Sequence, residues 1–225
     1  MRPALGFLAS ECRLTGPEAR FHVLPVPLES SVSYGAGAAQ GPAAILEASQ
    51  QLEAWDGYSC PLKEGIHTLA AIDCSGQIEE VLLRIETVVS RVLRAGCMPV
   101  LLGGEHTVTL GALRALASSS QDPVGLVQID AHADLRATYE GSIYSHACVM
   151  RRALDDLRMH IFQFGVRALS LEEVELRQQE SRISFLDAAA FARNGLPSPL
   201  LPPDVPETVY VSFDVDGLDP AVIRA

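Results

Sequence analysis

Apolar and polar positions along the chain fall into two alternating rhythms. Short runs that are apolar at almost every position are followed by longer stretches with apolar residues three or four apart. The first kind reads as buried strands and the second as amphipathic helices. Strands are predicted over 21–28 (FHVLPVPL), 65–72 (GIHTLAAI), 98–104 (MPVLLGG), 124–129 (VGLVQI), 160–166 (HIFQFGV), 182–186 (RISFL) and 208–215 (TVYVSFDV). Helices are predicted over 41–55, 77–96, 107–119, 146–157 and 170–180. Pro42 suits a first helical turn, where its missing N–H is no loss, and Gly96 suits a helix end. Five prolines within 196–207 make that segment a loop. Strands that alternate with helices and are apolar on both faces predict a parallel sheet covered on both sides. Trp55 is expected to pack in the interior.

In such sheets ligands gather at the carboxyl ends of the strands. Three strands here run into polar residues of one chemical kind: LLGGEH, VQIDAHAD and YVSFDVD. In the second, Asp130, His132 and Asp134 alternate with Ala131 and Ala133. Alternate residues of an extended chain share a side, yet at ~3.3 Å per residue Asp130 and Asp134 would lie roughly 13 Å apart. One ion cannot be reached from both ends of a straight segment. Two ions about 3.5–4 Å apart could be, with modest curling. Asp214 and Asp216 repeat the device, and His106 follows a glycine pair that lets the backbone turn. The set is His106, Asp130, His132, Asp134, Asp214 and Asp216. Oxygen donors with some imidazole suit Mn²⁺ better than a thiolate-rich zinc site. Four carboxylates also balance two divalent ions, whereas unpaired buried aspartates would be costly. Bound divalent ions lower the pKa of a shared water towards neutrality, which supplies a nucleophile.

Each motif has a plainer reading. GGEH alone is a loop before a helix, and DVD alone is a turn or cap. It is their recurrence on three strand ends that favours metal. DVDGLDP does not fit a calcium-binding loop, since Leu218 and Asp219 stand where acid and glycine are needed. GAGAAQG (35–41) places its third glycine one residue late for a dinucleotide fingerprint. His146 follows a polar loop and opens a helix, so it either packs there or shuttles protons near the metals.

The bulk numbers narrow the partners. With 225 residues, 48% of them apolar, the chain can build a substantial core. A formal charge of −11 argues against nucleic acid or an anionic membrane surface and suits a cationic substrate. No apolar run approaches the ~20 residues of a membrane helix. The apolar part of MRPALGFLAS is short for a signal peptide. Five cysteines without a C-x-x-C pair read as reduced thiols, which implies a cytoplasmic protein.

GGEHTVTLGALRAL, DAHADLR…EGSIYSHACVMRR and SFDVDGLDPA resemble the three signature regions of the ureohydrolases, the arginase and agmatinase family. YGAGAAQGPAAILEASQQLE and EGIHTL resemble agmatinases in particular, and the likeness spans roughly residues 20–225. The resemblance implies an arginase-type three-layer α/β/α fold with a mostly parallel sheet, as one domain over residues 1–225. It implies two Mn²⁺ per subunit on the six residues named above, and a homo-oligomer, trimer or hexamer. The implied activity is that of an agmatinase-like hydrolase of linear amidine C–N bonds. It would convert agmatine to putrescine and urea, as in polyamine biosynthesis. Asp134 would orient the nucleophile and hand its proton to the leaving amine, and His146 would exchange protons with solvent. Glu105 stands where many members have Asp, a difference expected to matter little.

The chain ends at Ala225, soon after the third signature, where the resemblance predicts further elements and a glutamate that holds the guanidinium. The expected fold is therefore incomplete at its C-terminus, with 208–215 as an apolar edge strand; Glu140 is a substitute candidate for the guanidinium. Arginase, guanidinobutyrase and formiminoglutamase activities share the core motifs. A truncated, non-catalytic metal-binding paralogue is the alternative from another class.

Overall fold

A computed structural model describes residues 5–203 and 205–223. Residues 1–4, 204, 224 and 225 lie outside it, and with them part of the N-terminal apolar stretch, one residue of the proline loop and the final alanine. The described chain divides into two compact units, Met1–Ser119 and Ser120–Ala225. Each is an α/β unit built on a parallel sheet.

In the first unit, β1 (Phe21–Val26) lies between β2 (Ile66–Thr68) and β3 (Met98–Gly103), all parallel. Helix α1 (Gly41–Ala48) precedes β2, α2 (Ile78–Arg94) precedes β3, and α3 (Val108–Ser119) follows it. Val81, Leu82, Ile85, Val89 and Val92 recur along one stripe of α2 and are buried. Gly111 on α3 lets the two helices close up, since a Cβ there would stand 2.7 Å from the Cβ of Ile85.

The second unit has four parallel strands in the order β6-β5-β4-β7: β4 (Val124–Ile129), β5 (His160–Phe164), β6 (Ile183–Leu186) and β7 (Thr208–Phe213). Helix α4 (Val149–Asp155) leads to β5, α5 (Leu171–Gln179) to β6, and α6 (Ala188–Asn194) comes before the proline loop. β7 is at a sheet edge, with Val211 and Phe213 about half exposed.

Several expected elements differ in detail. The helix predicted over 41–55 stops at Ala48 and tightens into a 3₁₀ turn, Ser49–Gln51. The Ser49 hydroxyl donates to Leu46 O at 2.7 Å and accepts the Leu8 N–H at 2.9 Å; the Gln50 amide also donates to Leu46 O. These side chains compete with the helical ladder and end it. Trp55, expected to be packed, is 62% exposed. The helix predicted from His146 begins as a 3₁₀ turn, His146–Cys148, before α4. Helix α6 was not anticipated, although its alanine-rich sequence favours it. All five cysteines are free. Among the described residues no helix is long and apolar enough to cross a membrane.

Candidate metal centre

β4 ends at Ile129, and the five residues after it curl. Asp130 N–H donates to Phe164 O at the end of β5, 3.1 Å away, and Arg167 and Ala168 N–H both donate to Ala131 O. Asp134 has φ +51°, a left-handed conformation that aspartate tolerates better than most residues. This is the bend that a straight strand lacked. Asp130 and Asp134 are both buried, and their carboxylate oxygens come within 4.8 Å of one another. Ala131 and Ala133 are buried too, so the loop has room for methyl groups there and little else. Helix α5 braces the far side. Ser170 and Glu173 form a capping box, and Glu173 Oε1 also accepts the Leu135 N–H at 3.0 Å.

β7 delivers the second group. Asp214 N–H donates to Ile129 O at 2.9 Å, and the chain then turns through a 3₁₀ segment, Val215–Gly217. Asp214 Oδ1 caps that turn by accepting Asp216 N–H at 3.2 Å. Asp216 Oδ1 accepts Ala131 N–H at 3.1 Å, and its Oδ2 lies 3.1 Å from His132 Nδ1. Gly217 makes the approach possible, because a Cβ there would stand 2.8 Å from Asp130 N.

Asp130, His132 and Asp216 thus place one ligand atom each within 4.8 Å of the others. Asp130 belongs both to this trio and to its pair with Asp134, an arrangement that a carboxylate shared between two sites would need. Protonated His132 is strongly favoured here, its pKa pushed up to about 10 by Asp130 first and then Asp216. Asp130 Oδ1 is the farther from Nδ1, at 3.7 Å against 3.1 Å, but it is buried, where charge is screened less. A proton is therefore drawn to a place where two carboxylates and an imidazole meet. That donor set fits a hard or borderline divalent cation, which would compete with the proton.

The remaining candidates sit as follows. His106 is half-buried in the turn that opens α3 of the first unit, its carbonyl accepting Thr109 N–H. Glu105 beside it is buried and accepts hydrogen bonds from the N–H and hydroxyl groups of Ser30 and Ser31. His146 is half-buried, with Nδ1 3.3 Å from Ser145 Oγ and its ring edge-on to Tyr139. Glu140 is exposed in the turn joining Tyr139 to Ser142. Three residues that touch the loop were not singled out from sequence: Gln128, Gln163 and Glu173. The signal was there for the glutamines, each the lone polar residue in the interior of an apolar strand.

Residues 19–225 match the family model described as the arginase family. This chain belongs to the arginase family. It is 35% identical over 223 residues to an N(1)-aminopropylagmatine ureohydrolase of Synechocystis, a match covering 95% of this chain and 72% of that one. It is 33% identical to an agmatinase of Pyrococcus horikoshii, over 90% of this chain and 70% of the other. The crystal structure of agmatine ureohydrolase of Thermoplasma volcanium superposes with a TM-score of 0.80 at 35% identity, over 91% of this chain and 70% of that one. The parallel α/β architecture is that of arginase-family structures. With the family comes the enzyme class, a hydrolase acting on guanidino carbon–nitrogen bonds.

Proposed function

We propose that this arginase-family member hydrolyses agmatine or its N(1)-aminopropyl derivative, releasing urea and the corresponding amine, with two Mn²⁺ ions. The observation that carries the substrate is the set of relatives bearing those two names at 33–36% identity over about nine-tenths of the chain. The strongly acidic composition suits a substrate that is a polycation.

His106, Asp130, His132, Asp134, Asp214 and Asp216 are the proposed ligands. The grouping of Asp130 with Asp134, and of Asp130 with His132 and Asp216, supports this reading. When bound, the ions would supply a water acidic enough to act as a nucleophile near neutral pH. A guanidinium stays protonated and its charge is delocalised, so its carbon is a poor electrophile and positioning decides the rate. Asp134, held in place by its left-handed turn and the brace at Leu135, orients the attacking water and carries its proton to the leaving amine. His146, half-buried beside Tyr139, exchanges that proton with solvent.

The test is hydrolysis of agmatine, N(1)-aminopropylagmatine, arginine, guanidinobutyrate and formiminoglutamate with Mn²⁺ supplied. The highest kcat/KM is expected for one of the first two. A higher value for arginine would overturn the substrate and leave the chemistry standing.

A further inference from the structure

We infer that Gln128 and Gln163 form a buried two-amide relay that orients the Asp130 carboxylate and anchors loop 130–134, which makes them positioning residues for the metal centre. The inference rests on the reading of Asp130 as a ligand. The two glutamines are register partners on adjacent strands, β4 and β5, and neither has any exposed surface. Gln128 Nε2 donates to Asp130 Oδ2 at 2.9 Å and to His132 O at 3.1 Å. Gln163 Nε2 donates to Gln128 Oε1 at 2.6 Å and to Ala133 O at 2.7 Å.

Chemistry alone assigns the direction of this chain. A carboxylate and a carbonyl can only accept, so Gln128 must turn its nitrogen to Asp130 and His132. Its oxygen then faces Gln163, which must answer with nitrogen, and that nitrogen also meets the Ala133 carbonyl. Each amide nitrogen thus donates to loop 130–134, and Gln163 also holds Gln128 in its orientation. Neither position could hold a glutamate, which would set carboxylate against carboxylate or carbonyl.

The arrangement carries a penalty. Among the described residues, Gln163 Oε1 is buried with no hydrogen-bond partner. Leaving a buried acceptor dry destabilises the fold, and an apolar side chain at 163 would avoid it. The return lies at the loop. Asp130 Oδ1 is set by the His132 N–H at 2.7 Å and Oδ2 by Gln128, so the carboxylate plane is determined from two sides. Such supporting hydrogen bonds orient metal ligands, and their loss typically weakens metal affinity by roughly 10–100-fold.

The experiment compares wild type with Gln128→Met, Gln163→Met and the double variant. Met is close to Gln in length but has no donor. Mn²⁺ affinity is measured by calorimetry, and hydrogen exchange of the 130–135 amides is measured on metal-free protein. Gln128→Met should weaken Mn²⁺ binding roughly 10–100-fold and speed exchange of the loop. Gln163→Met should do the same to a smaller degree. The double variant should stay within about threefold of Gln128→Met, because one side chain acts largely through the other. A purely structural pair would lower the melting temperature while Mn²⁺ affinity and loop exchange stayed at wild-type values, and that outcome overturns the inference. Additive losses overturn the relay as well. If Gln128→Met does not fold, Gln128→Asn, which withdraws the amide by one methylene, carries the same comparison. Wild-type protein that binds no Mn²⁺ would defeat the metal-centre reading, and unchanged loop exchange in a folded variant would separately defeat the relay.

Discussion

Glu105 and Asp130 occupy equivalent places in the two units. Each is a buried carboxylate just past the carboxyl end of a parallel strand, β3 or β4. Their surroundings differ. Glu105 takes N–H bonds from Ser30 and Ser31, each 2.7 Å, and hydroxyl bonds from the same two serines at 3.1 and 2.9 Å. Burial pushes its pKa up, but hydrogen bonds from the N–H groups of Ser31 and Ser30 and the hydroxyls of Ser31 and Thr107 together outweigh it and hold the carboxyl below its usual value. Asp130 instead lies close to two other carboxylates, Asp134 and Asp216, with the His132 imidazole within 3.7 Å of it and 3.1 Å of the second. Both carboxylates accept hydrogen bonds from the protein, Asp130 from the His132 N–H and from Gln128 Nε2, but Asp130 is also gathered with other carboxylates. Both are buried carboxylates just past a strand end, so neither burial nor position separates a structural anion from a candidate ligand. What differs is the negative charge gathered around each, which at Asp130 a bound cation would offset.

The largest break in this comparison is at Asp130. Asp130→Ala should weaken Mn²⁺ binding by more than about 100-fold, above the range for supporting residues, and remove activity with it. Metal titration beside Glu105→Gln checks this, the Glu105 variant losing far less affinity. Glu105→Gln should act instead on stability, lowering it by about 2–3 kcal/mol, because donors arranged for a charged acceptor are left poorly matched. Denaturant unfolding of the metal-free protein measures it, and a change under ~0.5 kcal/mol would deny Glu105 its clamping role.

Gly217→Ala is the next step down. The added methyl must push against the backbone of Asp130, at a cost of about 1–3 kcal/mol. Weaker Mn²⁺ binding should accompany the lower melting temperature, since Asp216 rides on the same turn.

The smallest effects are in the pH dependence of metal-free stability, where Glu105 and His132 set limbs of opposite sign. Glu105 has a lowered folded pKa, so its contribution is present above the usual carboxylate pKa, 4.5, and is lost as pH falls through the folded value. His132 has a raised one. Its contribution is complete below 6.5 and is lost as pH rises through about 10. Glu105→Gln should flatten the acid limb alone, and His132→Asn the alkaline limb alone. Thermal melts across pH with a chelator present read both, and a His132 variant that leaves the alkaline limb unchanged would deny the ion pair with Asp130 and Asp216.

Much of the fold was legible because its signals are local. The stripe of α2, Gly96 at its end and the apolar runs of β1, β3, β4 and β5 all sit within a few residues of the structure they specify. The helix over 41–55 was overextended for a non-local reason: Ser49 and Gln50 are recruited by Leu8 and Gly6 from more than forty residues away. The candidate ligands were legible because one chemistry recurs at several strand ends. The hydrogen-bonded role of Glu105 was not legible, since its partners are serines more than seventy residues earlier in the chain.

The order of letters was enough to name the parallel α/β class, to propose an acidic donor set and to require a bend between Asp130 and Asp134. Periodicity, charge and residue type are properties of the chain itself, and they survive without coordinates. The fold decided how the bend is made, which carboxylates meet His132, and that Glu105 is a clamp. It also set two glutamines and Glu173 behind the loop. Those outcomes depend on hydrogen-bond directions and on distances between segments remote in sequence. A difference of a few ångströms there separates a structural anion from a candidate ligand, and it exists only once the strands are paired in register.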